Sequence, residues 1–404
     1  MSEIVVTGLG CISAAGHDVS TFEQMLFSVP AGSAIGPADG FKASDGRNVV
    51  AAQVKDYVPE QYFNKAELKL LDRYAQFALI SAEQAIKDAS LNLLTCNLKR
   101  VSVVHGTSIG GQETIEASYS QLFEYGKSRT HPFTVPKLLP SSAASHIAMK
   151  YGIKGPTFTT SSACASAGHA ISMAVLMLRC NLIDIAVVGG SEACLTQGNF
   201  FAWEGLRVIS NDNCRPFSAD RSGLVLGEGA ATLVLERADY AKQRGAKIHA
   251  KLSGIGMSSD AHNIVQPLAE GAEDAMNAAL LDANLAANTI DYVNAHGSGT
   301  VINDQTETKA IQSVFECSSK QPFVSSTKSI HGHVLGAGAA LEAIASILAI
   351  KHQKIPATVN YKQADPLCDL NLVINQMLIT PVKKVMSNSF AFGGLNSTLI
   401  FEKI

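Results

Sequence analysis

Charge is scarce in this 404-residue chain: Asp, Glu, Lys and Arg make up 17% of it, against 47% hydrophobic residues. That composition excludes a disordered, solvated chain and predicts a large packed core in one domain or two. A basic excess is lacking as well, and the net charge of −3 argues against a nucleic-acid partner held by bulk electrostatics. No C-x-x-C pair occurs among the eight scattered cysteines, which removes both a disulfide framework and a zinc site. No charged leader with a long apolar run precedes the first strand, so no signal peptide is expected. The most apolar late stretch, Val334 to Ile350, is broken by Glu342 and too short to span a bilayer. A cytoplasmic protein without membrane insertion is the expectation. Two enzyme signatures are missing too. Ser13 stands where a dinucleotide fingerprint after Gly8 and Gly10 needs its third glycine, and no G-x-S-x-G elbow marks a hydrolase.

What is present alternates. Ile4 to Gly10 predicts a buried strand, and apolar residues at helical spacing from Leu70 to Ala85 predict a helix. Val101 to Val104 predicts a strand opening into a glycine loop, His105 to Gly111. Asp184 to Gly190 and Ala231 to Glu236 predict two more buried strands. Strands alternating with helices indicate an α/β protein with covered, mostly parallel sheets. An internal echo then divides the chain. Ser253-Gly-Ile-Gly256 resembles Thr7-Gly-Leu-Gly10, and Tyr292-Val-Asn-Ala-His-Gly-Ser-Gly299 resembles Val103-Val-His-Gly-Thr-Ser108, in the same order. Duplicated halves joined near residue 248, packed as one unit, are the expectation.

Four stretches carry chemistry. Cys164 sits in Ser161-Ser-Ala-Cys-Ala-Ser-Ala-Gly168, almost without side-chain bulk, ahead of an apolar helix expected to end near Arg179. A helix N-terminus favours thiolate over thiol; a merely packed cysteine is the plain alternative. His296, in Asn294-Ala-His-Gly-Ser-Gly-Thr300, leaves a strand end, where α/β folds place their sites, or else caps a turn. Lys328, His331 and His333 gather before a helix, and a nearby lysine keeps a histidine neutral or orients an anion. Metal binding by His331 and His333 lacks a third ligand nearby. Asn388-Ser-Phe-Ala-Phe-Gly-Gly-Leu-Asn396 offers backbone N–H groups beside an aromatic, as an oxyanion pocket or gate requires, or else makes a tight turn. One cysteine and two histidines at such junctions are the parts for thioester chemistry.

With these residues the sequence resembles, over essentially its whole length, the β-ketoacyl-[acyl-carrier-protein] synthases, nearest the bacterial elongating type II enzymes. The motifs include Val5-Val-Thr-Gly-Leu-Gly10, Leu71-Asp-Arg-Tyr74, Ser162-Ala-Cys-Ala-Ser166, Arg215-Pro-Phe217, Asp220-Arg-Ser-Gly223 and Gly227-Glu-Gly-Ala230. They continue with Asn294 to Thr300, Asn303-Asp-Gln-Thr-Glu307, Ser325 to Ser329, Gly332-His333, Glu342 and Asn388 to Gly394.

The resemblance implies an α/β fold of thiolase type. Two duplicated βαβαβαββ halves would pack as a five-layer α-β-α-β-α unit. Residues 1–247 would carry Cys164, and 248–404 would carry His296, His333 and Lys328. Cys164 would take an acyl chain from acyl carrier protein and extend it by decarboxylative Claisen condensation with the malonyl carrier. His296 and His333 would bind the malonyl thioester carbonyl, with Lys328 holding its charge near them and pairing with Glu342. Asp304 and Glu307 would support the site. The N–H groups of Cys164 and Phe392 would form the oxyanion hole, and Phe392 would gate the acyl pocket. Ser298 and Thr300 match pantetheine-binding positions, and Ser108 and Ile109 match acyl-pocket positions. An acidic carrier makes Lys65, Lys69 and Arg207 candidate docking cations, with a solvated face as the plain alternative. No cofactor is implied beyond the carrier's phosphopantetheine.

Departures from the family pattern are Ala391 and Ser108 for glycine, Ser298 and His331 for threonine, and Gln112 where apolar residues are usual. They point toward an acyl chain other than a plain saturated alkane, in polyketide or polyene rather than fatty-acid biosynthesis. A non-catalytic chain-length-factor-like partner subunit is the competing reading, but such partners typically lack the cysteine retained here. A coenzyme A thiolase would need a second cysteine near Gly393-Gly394, where none stands. Pairing is expected through the sheets, near Ile185 to Val188, as a homodimer or as a heterodimer with a ketosynthase-like subunit.

Overall fold

The computed structural model describes residues 2–404. Strands form where small and β-branched apolar residues run without interruption, and most are buried on both faces, as sheets covered by helices require. In chain order the first half runs β1 (Ile4–Ser13), α1 (Arg73–Asp88), β2 (Val101–Gly106), α2 (Ser142–Tyr151), β3 (Thr157–Thr160), α3 (Ser166–Arg179), β4 (Ile185–Glu192) and β5 (Gly229–Arg237). The second runs β6 (Ala250–Ser259), α4 (Ala269–Ala283), β7 (Tyr292–Asn294), α5 (Val301–Phe315), β8 (Phe323–Ser325), α6 (Gly338–His352), β9 (Lys384–Ala391) and β10 (Leu395–Glu402). Each half is βαβαβαββ.

The ten strands join in the order β8-β7-β9-β10-β6-β1-β5-β4-β2-β3. Counted outward from the centre, both halves follow one sequence of strands. β1 and β6 meet antiparallel at that centre, Ile4 opposite Leu252 and Val6 opposite Ala250. Helices α3 and α6 pack on each other and on strands of both halves; α1 and α2 cover the first half outside, and α4 and α5 the second. The result is the five-layer thiolase-like α-β-α-β-α arrangement.

The echoed glycines have a packing cause rather than a phosphate-binding one. A Cβ at Gly8 or Gly10 would lie 2.1 Å from the carbonyl oxygens of Ala85 and Ser81 in α1. At Gly254 and Gly256 it would lie 2.3 and 1.9 Å from those of Ala279 and Ala275 in α4. Glycine at these positions lets an alanine-rich helix lie directly on the strand. Helix α1 starts at Arg73 rather than Leu70 because the Asp72 carboxylate caps it, accepting the Tyr74 N–H at 3.2 Å.

Two expectations change. β4 lies between β5 and β2, so Ile185 to Val188 offer no free edge for pairing; β3 is the edge strand on that side. The apolar stretch around Glu342 forms a helical run from Leu335 to His352, long enough to cross a membrane by length alone, yet 89% buried inside the protein. Every residue from Gly338 to Ile350 is buried. It is the central core helix.

Candidate active site

Cys164 lies in a tight turn at the entrance to α3. Ala163 before it is in the left-handed region at φ +46°, and its carbonyl accepts the Ser166 hydroxyl at 2.7 Å. The helix begins at Ser166, two residues beyond the cysteine. Cys164 is 8% exposed, and burial pushes its thiol up to about 12, against the opposing pull of the Lys328 charge. Burial thus opposes the thiolate expected of a helix N-terminus, and the helix itself begins only two residues later.

His333 reaches that thiol, Nε2 to Sγ 3.1 Å, and its backbone N–H donates to the Val225 carbonyl at 2.7 Å. His296 leaves the end of β7, and its ring stands 5.4 Å from that of His333 at 81°. Its loop hangs from one carboxylate: Glu307 of α5 accepts the N–H groups of His296 and Gly297 at 2.8 and 2.7 Å. One turn earlier, Asp304 accepts those of Phe217 and Gly299 at 2.8 and 3.2 Å. Burial holds both imidazoles well below the usual histidine range, and the Lys328 charge pushes the same way. Lys328 is 1% exposed and pairs with the equally buried Glu342 of α6, which desolvation pushes up. One buried cation thus sits behind two neutral rings.

A cavity of about 220 Å³ opens onto Sγ, lined among others by His296, His333, Ser298, Thr300, Phe392 and Arg207. The hydroxyls of Ser298 and Thr300 face each other at 3.0 Å. The backbone N–H groups of Cys164 and Phe392 have no hydrogen-bond partner among the described residues. Phe392 stacks on Trp203, centroids 5.7 Å apart and 23° between planes. Sequence reasoning missed Trp203; its being the chain's one tryptophan was the available signal.

Several singled-out residues stand elsewhere. Ile109 packs against the apolar cluster that includes Cys164, Phe200 and Leu335, and Ser108 Oγ donates to the Ala163 carbonyl at 3.3 Å; neither lines the cavity. Gln112 opens a helix on a separate surface groove. His331 is buried against Phe22, its ring donating to the Gly332 carbonyl and bonded to the Thr327 hydroxyl at 2.8 and 3.0 Å. Lys65 and Lys69 are exposed, on and just after a short helix.

The beta-ketoacyl synthase N-terminal domain family matches residues 1–241, and the C-terminal domain family matches 249–362. Nodulation protein E of Rhizobium sp. (strain N33) is 42% identical, over 99% of each chain. The 3-oxoacyl-[acyl-carrier-protein] synthase 2 of Synechocystis sp. is 38% identical, over 99% of this chain and 98% of that one. Among solved structures, the ishigamide ketosynthase/chain length factor aligns with a TM-score of 0.94 at 32% identity, covering 100% of this chain and 99% of that one. Fold, length and both domain families agree, and the chain belongs to the β-ketoacyl synthases.

Proposed function

We propose that Cys164 accepts an acyl chain from acyl carrier protein and that His296 and His333 drive its extension by the malonyl carrier. The observation that carries this is the meeting of Cys164 Sγ and His333 Nε2 at 3.1 Å, beside His296, at the floor of one cavity. Loading forms the bond from Sγ to the acyl carbonyl carbon and breaks the carrier's thioester; the thiol proton ends on the carrier sulfur. The free N–H groups of Cys164 and Phe392 would hold the oxyanion of the tetrahedral intermediate. In the second step the neutral imidazoles donate hydrogen bonds to the malonyl thioester carbonyl. Carbon dioxide leaves, and the enolate carbon attacks the acyl-Cys164 carbonyl and releases Sγ. A dry site with neutral rings disfavours the malonyl carboxylate and rewards its loss. Lys328, tied to Glu342, keeps the rings neutral, so it acts on the reaction through them.

Ser298 and Thr300 would bind the pantetheine arm, and Phe392 would gate the acyl pocket beside Ser108 and Ile109. Arg207 at the cavity, with Lys65 and Lys69, would meet an acidic carrier. We read residues 1–247 and 248–404 as the two halves, and the enzyme as cytoplasmic, with no cofactor beyond the carrier's phosphopantetheine. Its partner would be a second copy or a ketosynthase-like subunit; the ishigamide relative is itself a ketosynthase/chain length factor. The pathway reading, an acyl chain other than a plain saturated alkane, rests on Ala391 and Ser108 standing in place of glycine.

Intact-protein mass spectrometry tests the roles. Incubation with a panel of acyl carriers should add one acyl group, lost in Cys164→Ala, and His333→Ala should impair condensation more than loading. No adduct from any donor would falsify the assignment, and equal turnover of saturated and unsaturated carriers would remove the pathway reading.

A further inference from the structure

Glu192 ends β4 with its side chain fully buried at 0% exposure. Five neutral donors reach its carboxyl group. Thr107 Oγ1–H, Ile109 N–H and Cys194 Sγ–H point at Oε1, at 3.0, 3.4 and 3.3 Å. The N–H groups of Ser108 and Gly336 point at Oε2, at 2.7 and 3.0 Å. Five donors and no acceptor match an ionised carboxylate, which only accepts. Burying such a group without a counter-charge is costly, so its position calls for a cause.

Two of the donors lead to the reacting pair. Ser108, fixed through its N–H, donates a hydrogen bond from its own hydroxyl to the Ala163 carbonyl at 3.3 Å, directly ahead of Cys164. Gly336 closes the turn three residues after His333. Each turn contains a non-glycine residue in the left-handed region, Ala163 at φ +46° and Leu335 at φ +42°. Such conformations persist only where the surroundings impose them. The two loops also touch here: a Cβ at Gly336 would lie 2.4 Å from the Ser108 nitrogen and 2.7 Å from Glu192 Oε2.

We propose that Glu192 is a positioning residue, one carboxylate that ties the Cys164 turn of the first half to the His333 turn of the second and so sets their contact. The inference rests on the roles proposed above for Cys164 and His333. Glu192 touches no substrate; it acts through Ser108 and Gly336.

The test compares wild type, Cys164→Ala, Glu192→Gln and Ser108→Ala, with folding checked by thermal melts. Loading is read by intact mass, and condensation by steady-state kinetics and on preloaded enzyme. In folded Glu192→Gln, kcat should fall about tenfold or more while KM for the malonyl carrier stays within about twofold, since misplacement costs rate rather than affinity. Ser108→Ala cuts the Ala163 branch, so loading should slow about threefold or more. Wild-type kcat in folded Glu192→Gln, or a loss confined to KM, overturns the inference. Should Glu192→Gln fail to fold, Ser108→Ala decides: unchanged loading overturns it. Failure of wild-type Cys164 to load at all overturns instead the roles on which the inference rests.

Discussion

His105-Gly106 close the second strand of the first half and His296-Gly297 follow that of the second, yet only one of these histidines reaches the cavity. β2 stays in its ladder through Gly106, with His105 opposite Thr159 on one side and Gly189 on the other. The His105 ring is consumed there, bonded through Nε2 to Ser191 Oγ at 2.7 Å and pushed down to about 3 by burial alone. β7 leaves its ladder at Asn294, two residues before His296, and the freed ring faces the cavity. Both loops nonetheless hang from a remote carboxylate, Glu192 under Thr107 to Ile109 and Glu307 under His296 and Gly297. The duplicated frame supplies an anchored loop twice. Where the strand ladder stops decides whether the loop's histidine is packing or chemistry.

The largest effect should separate the two rings. His296→Ala should lower condensation by about 10²–10³-fold, the usual loss for a preorganised donor to a developing oxyanion, at an unchanged melting temperature. His105→Ala should leave kcat within about threefold while costing about 1–3 kcal/mol of stability through the unpaired Ser191 hydroxyl. Equal losses of activity at both positions would break the comparison.

A smaller effect concerns the anchor. Burial pushes the Glu307 carboxyl from 4.5 to about 7, so the folded state binds its proton more tightly than the unfolded state does. That contribution to stability is complete below about 4.5 and is lost as pH rises through about 7. The melting temperature of wild type relative to Glu307→Gln should therefore fall across this window, since that difference cancels the opposite trend of the buried neutral histidines; a difference that stays constant with pH would assign the linkage to other groups. The smallest effect is expected at the cavity wall, where Ser298→Ala should raise KM for the malonyl carrier by about two- to tenfold, one neutral hydrogen bond's worth, with kcat retained.

Much of this was legible in the sequence because the chemistry-bearing residues sit in local signals. Cys164 among small residues, His296 at a strand end and Lys328 with His333 before an apolar helix each announce themselves within a few positions. The glycine echo at Gly8 and Gly254 was legible as a repeat, though its cause, helix-to-strand contact, needed the packing. What stayed hidden depends on long-range geometry. Burial of Cys164 depends on residues from distant parts of the chain, such as Ala51, Phe200, Leu335 and Ala391, which a local helix signal does not report. Whether His105 belongs to strand or loop turns on how far β3 and β4 extend beside it. The interior position of β4 follows from strand order, which apolar runs do not encode. Glu192 gave no signal, since a glutamate after a strand reads as an exposed turn residue until its five donors are in place.

The stack of Trp203 on Phe392 has an optical consequence. Trp203 is the chain's single tryptophan, so its emission is effectively that of the whole protein at long ultraviolet wavelengths. That one indole lies against Phe392, on the wall of the cavity that opens onto Cys164. Any shift of the Phe392 ring would change the surroundings of the chain's one indole, and with them its emission.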